Sequence, residues 1–356
     1  MDEKVCQVCG KRSPLIAEVL GVCANCLRTR PESCAPHVAA AHQTSRSTFG
    51  LPIRPPDTEG GIRCEGCANR CRMGPGERGF CGLREHRAGR LVHHAGTPAR
   101  ALLHWYRDPL PTNCVADWVC PGHRQWGYHN LAVFYGACTL DCLFCQNWHF
   151  REMDPARARL LSAEELAAKA TARTYCVCYF GGDPAAQMPH ALATSRLLAE
   201  RGVVICWETN GSAHPRWMDR AFELSLRTGG CVKFDLKALD ENLHRALTGV
   251  SNHRTLENFA RLGRCFDERP DPPPVVASTL LVPGYVDVEE VRRLAEFIAS
   301  VHPDIPYSLL GFHPHFFLPD LPRTSVRHAE EAAAAARAAG LRRVHIGNRH
   351  LLSRDY

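Results

Sequence analysis

The 356-residue sequence contains no long apolar run. Because no stretch of about 18 or more apolar residues is uninterrupted, we expect no transmembrane helix. The first residues, Met1-Asp-Glu-Lys-Val-Cys6, lack the apolar segment of a secretory signal. Neither sign of charge dominates, since 43 basic side chains oppose 37 acidic ones and leave a formal net charge of +6. So mild a charge gives no strong indication of a nucleic-acid or membrane partner.

Cysteine, by contrast, is abundant, with 19 residues in the chain. With neither a signal nor a membrane segment indicated, we expect a cytoplasmic protein. Disulfides are disfavoured there, so cysteines in pairs indicate metal ligands first. The 45% of hydrophobic residues suffices for a full core. On length alone, the chain is one large domain with a small addition, or two domains.

Three cysteines after a strand-like run have the spacing of an iron–sulfur site. Cys138, Cys142 and Cys145 lie on one short loop in a Cx3Cx2C pattern. Three thiolates can hold three irons of a [4Fe–4S] cluster and leave the fourth open to an outside molecule, whereas ordinary ferredoxin sites use four cysteines. The alternatives are a zinc knuckle or three buried thiols.

Two further sets of four cysteines precede this loop. The first comprises two CxxC pairs, Cys6 with Cys9 and Cys23 with Cys26, which suit tetrahedral zinc. It is either a docking module or a structural staple for about 30 residues, and we favour the staple. The second set contains Cys64, Cys67, Cys71 and Cys81. It suits zinc or an auxiliary [4Fe–4S] cluster, and four ligands would close the coordination sphere of either.

The cysteine sets divide the chain into five predicted parts. They are a zinc-ribbon-like module at 1–30, a Pro- and Gly-containing linker at 31–61, a second metal module at 62–90, a lead-in at 91–130, and a core at 131–350. The lead-in carries Cys114 and Cys120 in a loop rich in Trp and Pro. These two thiols could ligate a metal, act in catalysis, or simply be buried.

Short apolar strands alternate with amphipathic helices after residue 130, which predicts parallel βαβ units. The strand candidates are 131–135, 174–180, 203–207, 231–236, 275–282, 306–312 and 343–346. Helices are predicted to begin with a capping box at Ser162 and Glu165, to run from Asp287 to about Val301, and to run from Ser325 to Ala339. The predicted fold is α/β, a partial parallel barrel with small Cys-rich N-terminal modules.

Glycines and polar residues follow the ends of successive predicted strands, where a parallel β/α barrel carries its chemistry. They are Gly181-Gly182-Asp183-Pro184, Glu208-Thr209-Asn210-Gly211, Asp235-Leu-Lys237 and Pro283-Gly284. Each motif alone is weak, since Asn210 could be an ordinary turn and Asp235 with Lys237 an ordinary ion pair. Their order behind a Cx3Cx2C loop makes them consistent with one site.

These motifs together resemble the radical S-adenosylmethionine (SAM) enzymes, and residues 138–312 resemble the activating enzymes of glycyl-radical enzymes, of the pyruvate formate-lyase type. The run from Asp235 to Glu257 is especially similar to theirs. The Cys64–Cys81 module, Cys145-Gln-Asn-Trp148 and the C-terminal motifs Phe312-His-Pro, Asp320-Leu-Pro322 and His345-Ile-Gly-Asn348 resemble a sister group, the AmmeMemoRadiSam system radical SAM proteins. The likeness covers about residues 61–350 and leaves out the first cysteine pairs.

The resemblance implies that Cys138, Cys142 and Cys145 bind a [4Fe–4S] cluster whose open iron chelates SAM. It further implies that Phe144 lies near the adenine and that Asp183, with Gly181 and Gly182, holds the SAM amino group. Asn210, Asp235 and Lys237 would contact SAM or substrate. The reaction expected is reductive cleavage of SAM to a 5′-deoxyadenosyl radical, which removes a hydrogen atom from a protein, peptide or small molecule. The electron would come from a low-potential donor such as a flavodoxin or ferredoxin.

Two features differ from the glycyl-radical activases. Residues 146–175 contain no cysteine, so no ferredoxin insert lies there, and Asp183 replaces the commoner Glu. His149, His313 and His315 could line the mouth of the site, although such histidines more often lie on the surface or in packing. The alternative function is a catalytically inactive zinc-ribbon adaptor on a barrel scaffold, which would carry zinc at every cysteine site.

Overall fold

The N-terminal quarter of the chain is built from short strands and two helices. The structure is a computed structural model that describes residues 3–356. The elements are β1 (Lys4–Val5), β2 (Arg12–Ser13), α1 (Ala24–Thr29), α2 (Pro31–Ser47), β3 (Ile62–Arg63), β4 (Arg72–Met73), β5 (Arg84–Arg87) and β6 (Arg90–His93). The strands pair as the antiparallel ribbons β1–β2, β3–β4 and β5–β6. The first two ribbons each enclose cysteines of one set, so these cysteines lie on hairpin loops.

Most of the segment predicted as a linker is helical, and that prediction was wrong for residues 31–47. Helix α2 has Pro31 in its first turn, where the missing N–H costs no hydrogen bond. Its buried side chains include His42, Ser45 and Arg46. The polar composition suggested an exposed linker, but these polar groups face a buried partner that the local sequence does not show.

An eight-stranded sheet carries the rest of the chain. Its strands are β7 (Leu103–Pro109), β8 (His129–Tyr135), β9 (Thr174–Phe180), β10 (Val204–Thr209), β11 (Val232–Asp235), β12 (Val275–Leu281), β13 (Tyr307–Gly311) and β14 (Val344–Gly347). They are ordered from β7 to β14 across the sheet. Strand β7 pairs with β8 antiparallel, and all later pairs are parallel. The alternation of the sequence thus predicted the parallel core correctly, while β7 was not predicted.

The helices that connect the strands are α3 (Ala163–Ala167), α4 (Met188–Ala199), α5 (Pro215–Thr228), α6 (Glu241–Thr248), α7 (His253–Gly263), α8 (Val288–Val301) and α9 (Val326–Ala338). The capping box of Ser162 with Glu165 is present at the start of α3. Asp287 and Ser325 cap α8 and α9, where each side chain accepts a backbone N–H of the first turn. All three predicted helices are therefore confirmed. Within residues 3–356, none of the helices has the length and apolar character needed to cross a membrane.

The sheet curves around a cavity of about 610 Å³, here named the lumen cavity. Side chains from β7 to β11 and from β13 and β14 line it, so the sheet wraps around it as a partial barrel. Residues 110–123 supply further lining between the two sheet edges. Trp118 fixes this segment by donating from Nε1 to Ser308 Oγ at 3.0 Å and by stacking on His345 with ring centroids 5.1 Å apart. The predicted α/β partial barrel with Cys-rich N-terminal modules is confirmed.

Candidate active site

The loop that carries Cys138, Cys142 and Cys145, here named the cluster loop, leaves the carboxyl end of β8. Two backbone hydrogen bonds join it to the end of α6, from Asp141 N to Thr248 O at 2.8 Å and from Leu143 N to Leu247 O at 3.0 Å. Cys142 is buried, and the other two thiols are partly exposed. Among residues 3–356, the sulfur atoms of these three cysteines do not all lie within 4.8 Å of one another, as the ligands of a single ion would.

Asp141 anchors the cluster loop to the N-terminal part of the chain. It is fully buried and accepts from His42 Nδ1 at 2.7 Å and from Ser45 Oγ at 3.0 Å. Arg151 donates to the same carboxylate from the far side of the loop. The His42 hydrogen bond and the Arg151 charge hold the pKa of Asp141 below its usual value, although burial by itself raises it. Sequence reasoning missed this network, because its members lie far apart in the chain.

The thiols of the cluster loop hold their protons in the absence of a metal. Burial raises the pKa of Cys142 to about 12 and also raises the pKa values of Cys138 and Cys145. Iron ligation requires thiolates, so binding of a cluster here would release protons and be linked to pH.

The Gly181-Gly182-Asp183 turn packs directly on the cluster loop. Gly182 has φ +38° and lies so close that a Cβ there would be 2.2 Å from Tyr135 O and 2.5 Å from Ala137 O. The backbone N–H of Asp183 donates to Ala137 O at 2.7 Å. Only glycine permits this approach, so the turn and the loop hold each other in place.

The carboxylate of Asp183 is buried and already engaged. It accepts from Asn210 N at 2.6 Å, from Ala185 N at 2.7 Å and from Thr209 Oγ1 at 3.0 Å. Burial raises the pKa of Asp183 to about 6, against the lowering effect of these hydrogen bonds. Asp183 therefore ties the end of β10 to the glycine turn, and its predicted contact with the SAM amino group stays a prediction.

Asn210 reaches the cluster loop from the end of β10. Its Nδ2 lies 2.9 Å from Thr139 Oγ1 and 3.8 Å from Cys138 Sγ. Its backbone oxygen accepts from Thr255 Oγ1 at 2.6 Å. The structure thus brings Asn210 close to the first cysteine, while its Oδ1 also accepts from Ser212 N at 2.9 Å in a local turn. Its contact with SAM or substrate stays a prediction.

Asp235 and Lys237 meet beside the second and third cysteines. The two side chains form an ion pair, and the ammonium lies 5.2 Å from the centre of the Phe144 ring. Burial alone lowers the pKa of Lys237, but the neighbouring Asp235 carboxylate raises it above its usual value. The second oxygen of Asp235, Oδ1, is buried and has no hydrogen-bond partner in the described chain. An unpaired buried acceptor of this kind is costly unless a ligand supplies a donor.

The lumen cavity contains a polar group that the sequence did not single out. Lys233 is buried, with its Nζ 3.1 Å from Cys114 Sγ, 3.1 Å from Cys178 Sγ and 3.4 Å from Glu208 Oε2. Further thiols of the wall are Cys120, Cys176, Cys206 and Cys231. Cys114 and Cys120, in the segment before β8, thus also line the cavity. Cys176 and Cys178 occupy alternate positions of β9 and so face the same side of the sheet, which was the sequence signal for this wall.

The three histidines named as mouth residues take different positions. His315 accepts from Trp148 Nε1 at 3.0 Å, and His149 stacks on the same indole with centroids 4.0 Å apart. His313 is exposed and bonds to Pro314 O. None of the three bonds to the cluster-loop cysteines among the described contacts, and the first two serve aromatic packing.

Residues 132–298, from β8 to the body of α8, match the family model described as "Radical SAM superfamily". They form a radical SAM domain. The match begins just before the cluster loop and includes the glycine turn, Asn210, Asp235 and Lys237. The family expected from the Cx3Cx2C spacing and the strand-end motifs is thereby confirmed.

Several activating enzymes and one archaeal protein are similar in sequence. An isethionate sulfite-lyase activating enzyme of Oleidesulfovibrio alaskensis is 37% identical over 134 residues, which are 37% of this chain and 40% of that protein. The pyruvate formate-lyase 1-activating enzyme of Escherichia coli K12 is 27% identical over 192 residues, which are 51% of this chain and 73% of that protein. A Methanocaldococcus jannaschii protein of unassigned function is 27% identical over 301 residues, 81% of each chain.

A solved domain of a Bacteroides vulgatus pyruvate-formate lyase-activating enzyme is similar with a TM-score of 0.40 at 21% identity, covering 49% of this chain and 99% of that one. The chain thus spans less than half of the length of the isethionate sulfite-lyase activating enzyme that it matches.

The residues of the radical SAM domain fit the cofactors of its family. The Cx3Cx2C sulfurs are spread too widely for one zinc ion among the described residues, as expected for thiolates that each bind a different iron. Asp235 Oδ1 offers an unpaired buried acceptor beside them. The cluster loop thus has the donor set for a [4Fe–4S] cluster and an acceptor for a polar ligand next to it.

Proposed function

We propose that this protein is a radical SAM enzyme that cleaves SAM reductively and removes a hydrogen atom from a substrate held in the lumen cavity. The observation that carries the proposal is the convergence of three separated thiols with Asn210 and the Asp235–Lys237 pair in a radical SAM domain. When bound, the [4Fe–4S] cluster supplies the electron that cleaves SAM to a 5′-deoxyadenosyl radical.

The residues around the cluster loop would hold SAM by complementary contacts. We assign Asp235 Oδ1, the unpaired buried acceptor, to a hydroxyl or ammonium donor of SAM. Phe144, which lies under the Lys237 ammonium, offers an apolar ring to the adenine. Gly181 and Gly182 leave room for backbone approach, and Asp183 acts as a positioning residue that fixes them against Asn210.

The lumen cavity would position the substrate and exclude water. Its volume of about 610 Å³ lies in the range of ordinary ligand sites. Gln146 and Asn147, directly after Cys145, border it, so the cavity reaches the cluster loop. At its wall Lys233 and Glu208 offer one charge of each sign for orienting a polar substrate. A held substrate gains the advantage of fixed orientation toward the 5′ carbon.

The substrate is a protein, peptide or small molecule, and the relatives named as activating enzymes favour an activase-like role. The electron donor in this proposal is a low-potential protein such as a flavodoxin or ferredoxin. A cytoplasmic location fits the 19 cysteines, which are free thiols across the described chain. The alternative of an inactive zinc adaptor requires zinc at every cysteine site, and the wide sulfur separations at the cluster loop weigh against it.

The test is anaerobic reconstitution with iron and sulfide, followed by dithionite, SAM and an assay for 5′-deoxyadenosine. We expect product from the wild type and from Cys265→Ala, whose thiol lies in neither cysteine module nor the cluster loop, and none from Cys142→Ala. Asp235→Asn should keep its iron and bind SAM about tenfold more weakly, since one hydrogen bond to a charged acceptor is weakened. If the wild type with its cluster assembled bound SAM no better than Cys142→Ala does, the proposal would be overturned.

A further inference from the structure

The module that contains Cys64, Cys67, Cys71 and Cys81 packs on the radical SAM domain beside the cluster loop. Asn69 Nδ2 donates to Thr139 O, within that loop, at 2.8 Å. Backbone hydrogen bonds from Ala68 N to Ser212 O at 2.8 Å and from His214 N to Gly66 O at 3.0 Å fix the module against the loop after β10. The module is therefore held in one place relative to Cys138.

The sulfur distances of the first cysteine set are those of a zinc site. Tetrahedral zinc with Zn–S bonds of about 2.3 Å places its sulfurs about 3.8 Å apart. Cys6 and Cys26 have sulfurs 3.8 Å apart, and Cys9 and Cys23 have sulfurs 3.9 Å apart. All four ligand atoms lie within 4.8 Å of one another. This set can close around one ion without rearrangement.

The second set has a wider arrangement. Throughout residues 3–356, the Cys6 set is the one group of three or more possible metal ligands whose ligand atoms all lie within 4.8 Å of one another. No three sulfur atoms of Cys64, Cys67, Cys71 and Cys81 are therefore that close together. The cluster-loop cysteines share this property. Thiolates on a cluster each bind their own iron, which separates the sulfurs more than a shared ion does. By this internal comparison the second set resembles the cluster loop and differs from the zinc site.

Space for more than one ion lies beside these sulfurs. Cys64, Cys67 and Cys81 line a cavity of about 250 Å³. Cys71 is buried, its backbone oxygen accepts from Cys64 N at 2.8 Å, and its sulfur accepts from Phe80 N at 3.3 Å. Amide hydrogen bonds to sulfur of this kind help set the potential of iron–sulfur clusters.

We propose that Cys64, Cys67, Cys71 and Cys81 hold a second [4Fe–4S] cluster, with every iron ligated by the protein, that passes electrons to the cluster-loop site. One electron enters from a low-potential one-electron donor protein and moves on to the cluster-loop site, with no bond made or broken. The cluster assignment stands on the sulfur geometry alone, whereas the transfer role rests on the proposed function.

A buried arginine joins the two sites. Arg46 donates to Phe80 O, next to Cys81, and its guanidinium lies 3.6 Å from the Phe80 ring centre. Its Nη1 lies 4.0 Å from Asp141 Oδ1, next to Cys142. Cys81 and Cys138 also line one cavity, of about 520 Å³, together with Arg46. The two cysteine sets therefore border a common space.

The assignment is tested on the full chain with Cys138→Ser, Cys142→Ser and Cys145→Ser combined. After anaerobic reconstitution we expect about four irons and about four sulfides to remain, with about one zinc per chain at the Cys6 set. The reduced variant should give an electron paramagnetic resonance signal that SAM does not alter, because its irons have no open position. Two zinc ions with no iron or sulfide would overturn the assignment.

The reciprocal variant, Cys64→Ser with Cys67→Ser, separates this proposal from the proposed function. It should lose about half of the wild-type iron and keep a signal that SAM alters, and circular dichroism checks its fold. Cys81→Ser serves as the milder variant if the double one unfolds. Reduction by flavodoxin should slow at least tenfold in the double variant while reduction by dithionite stays unchanged. An unchanged flavodoxin rate would overturn the transfer role, and loss of the SAM-sensitive signal from wild type would count against the proposed function alone.

Discussion

At the scale of single residues, Asp141 links the cluster loop to the rest of the protein. One fully buried carboxylate accepts from His42, Ser45 and Arg151. Two buried arginines, Arg46 and Arg151, depend on it for a counter-charge. The carboxylate of Asp141, which lies between Cys138 and Cys142 in the chain, thus has a structural role that the Cx3Cx2C pattern does not indicate.

We expect Asp141→Asn to lower the free energy of unfolding by about 3–5 kcal/mol, because it leaves two buried guanidinium groups without their partner. Denaturant titration of the wild type and the variant measures the difference. Asp154→Asn is the control, since Asp154 and Arg157 are an exposed pair at 3.6 Å whose loss should cost less than about 1 kcal/mol. Equal losses in the two variants would contradict the assignment of Asp141.

Gly182 is the second residue on which the site depends. In Gly182→Ala the new Cβ would lie 2.2 Å from Tyr135 O, so the glycine turn or the cluster loop must move. Gly202→Ala is a matched control, since φ there is +75° and a Cβ would meet nothing within 4 Å. The control should lose about 1–2 kcal/mol from the left-handed backbone alone, and Gly182→Ala should lose about 2 kcal/mol more through overpacking. Thermal unfolding compares the pair, and similar losses would show that the turn tolerates displacement.

At the scale of elements, residues 110–123 complete the wall of the lumen cavity between the two sheet edges. The sheet itself ends at β7 and β14. Ser308 on β13 donates to Val115 O at 2.7 Å and accepts from Trp118 Nε1 at 3.0 Å. This irregular segment therefore closes the space that the partial barrel leaves open.

We expect Trp118→Ala to loosen this segment and expose the cavity thiols. Alkylation of Cys178, Cys206 and Cys231 by iodoacetamide, followed by mass spectrometry, should become about tenfold faster, which corresponds to about 1.4 kcal/mol less protection against local opening. Trp126→Ala is the control, since Trp126 is 74% exposed. Identical labelling rates in the two variants would show that the segment does not limit access to the cavity.

At the scale of the whole molecule, the first cysteine module fastens the start of the chain to the last third. The hydroxyl of Tyr285 accepts a hydrogen bond from Ala17 N at 2.9 Å and donates one to Val22 O at 3.0 Å. Arg28 bonds to Asp287 at 3.0 Å and to Glu290 at 3.1 Å. The first cysteine module thus joins distant parts of the chain, and a structural metal site there stays a prediction.

Removal of its metal should therefore lower the stability of the whole chain. Cys9→Ser, at the exposed ligand, should lose about one zinc per chain and melt several degrees below the wild type. Metal analysis and calorimetry measure both effects, with Cys265→Ser as the control thiol outside the modules. Full zinc retention in Cys9→Ser, or an unchanged melting temperature after zinc loss, would contradict the structural role.

The sequence by itself determined the parallel core and the order of its site motifs. Strand and helix periods differ, and caps such as Ser162 and Asp287 are local, so the alternation and its boundaries could be predicted. The Cx3Cx2C loop and the motifs at Gly181, Asn210 and Asp235 could be found because each lies within a few residues of a strand end.

Only the tertiary structure decided which distant groups meet. The helix at 31–47 looked like a linker, because its His42, Ser45 and Arg46 find their partner, Asp141, about a hundred residues later. The strand β7 and the thiol wall around Lys233 likewise depend on pairings across the sheet. The spread of sulfur atoms distinguishes the compact Cys6 set from the two wider cysteine sets among the described residues. CxxC spacing cannot supply this difference, because the distance between cysteine-bearing segments is fixed by their packing.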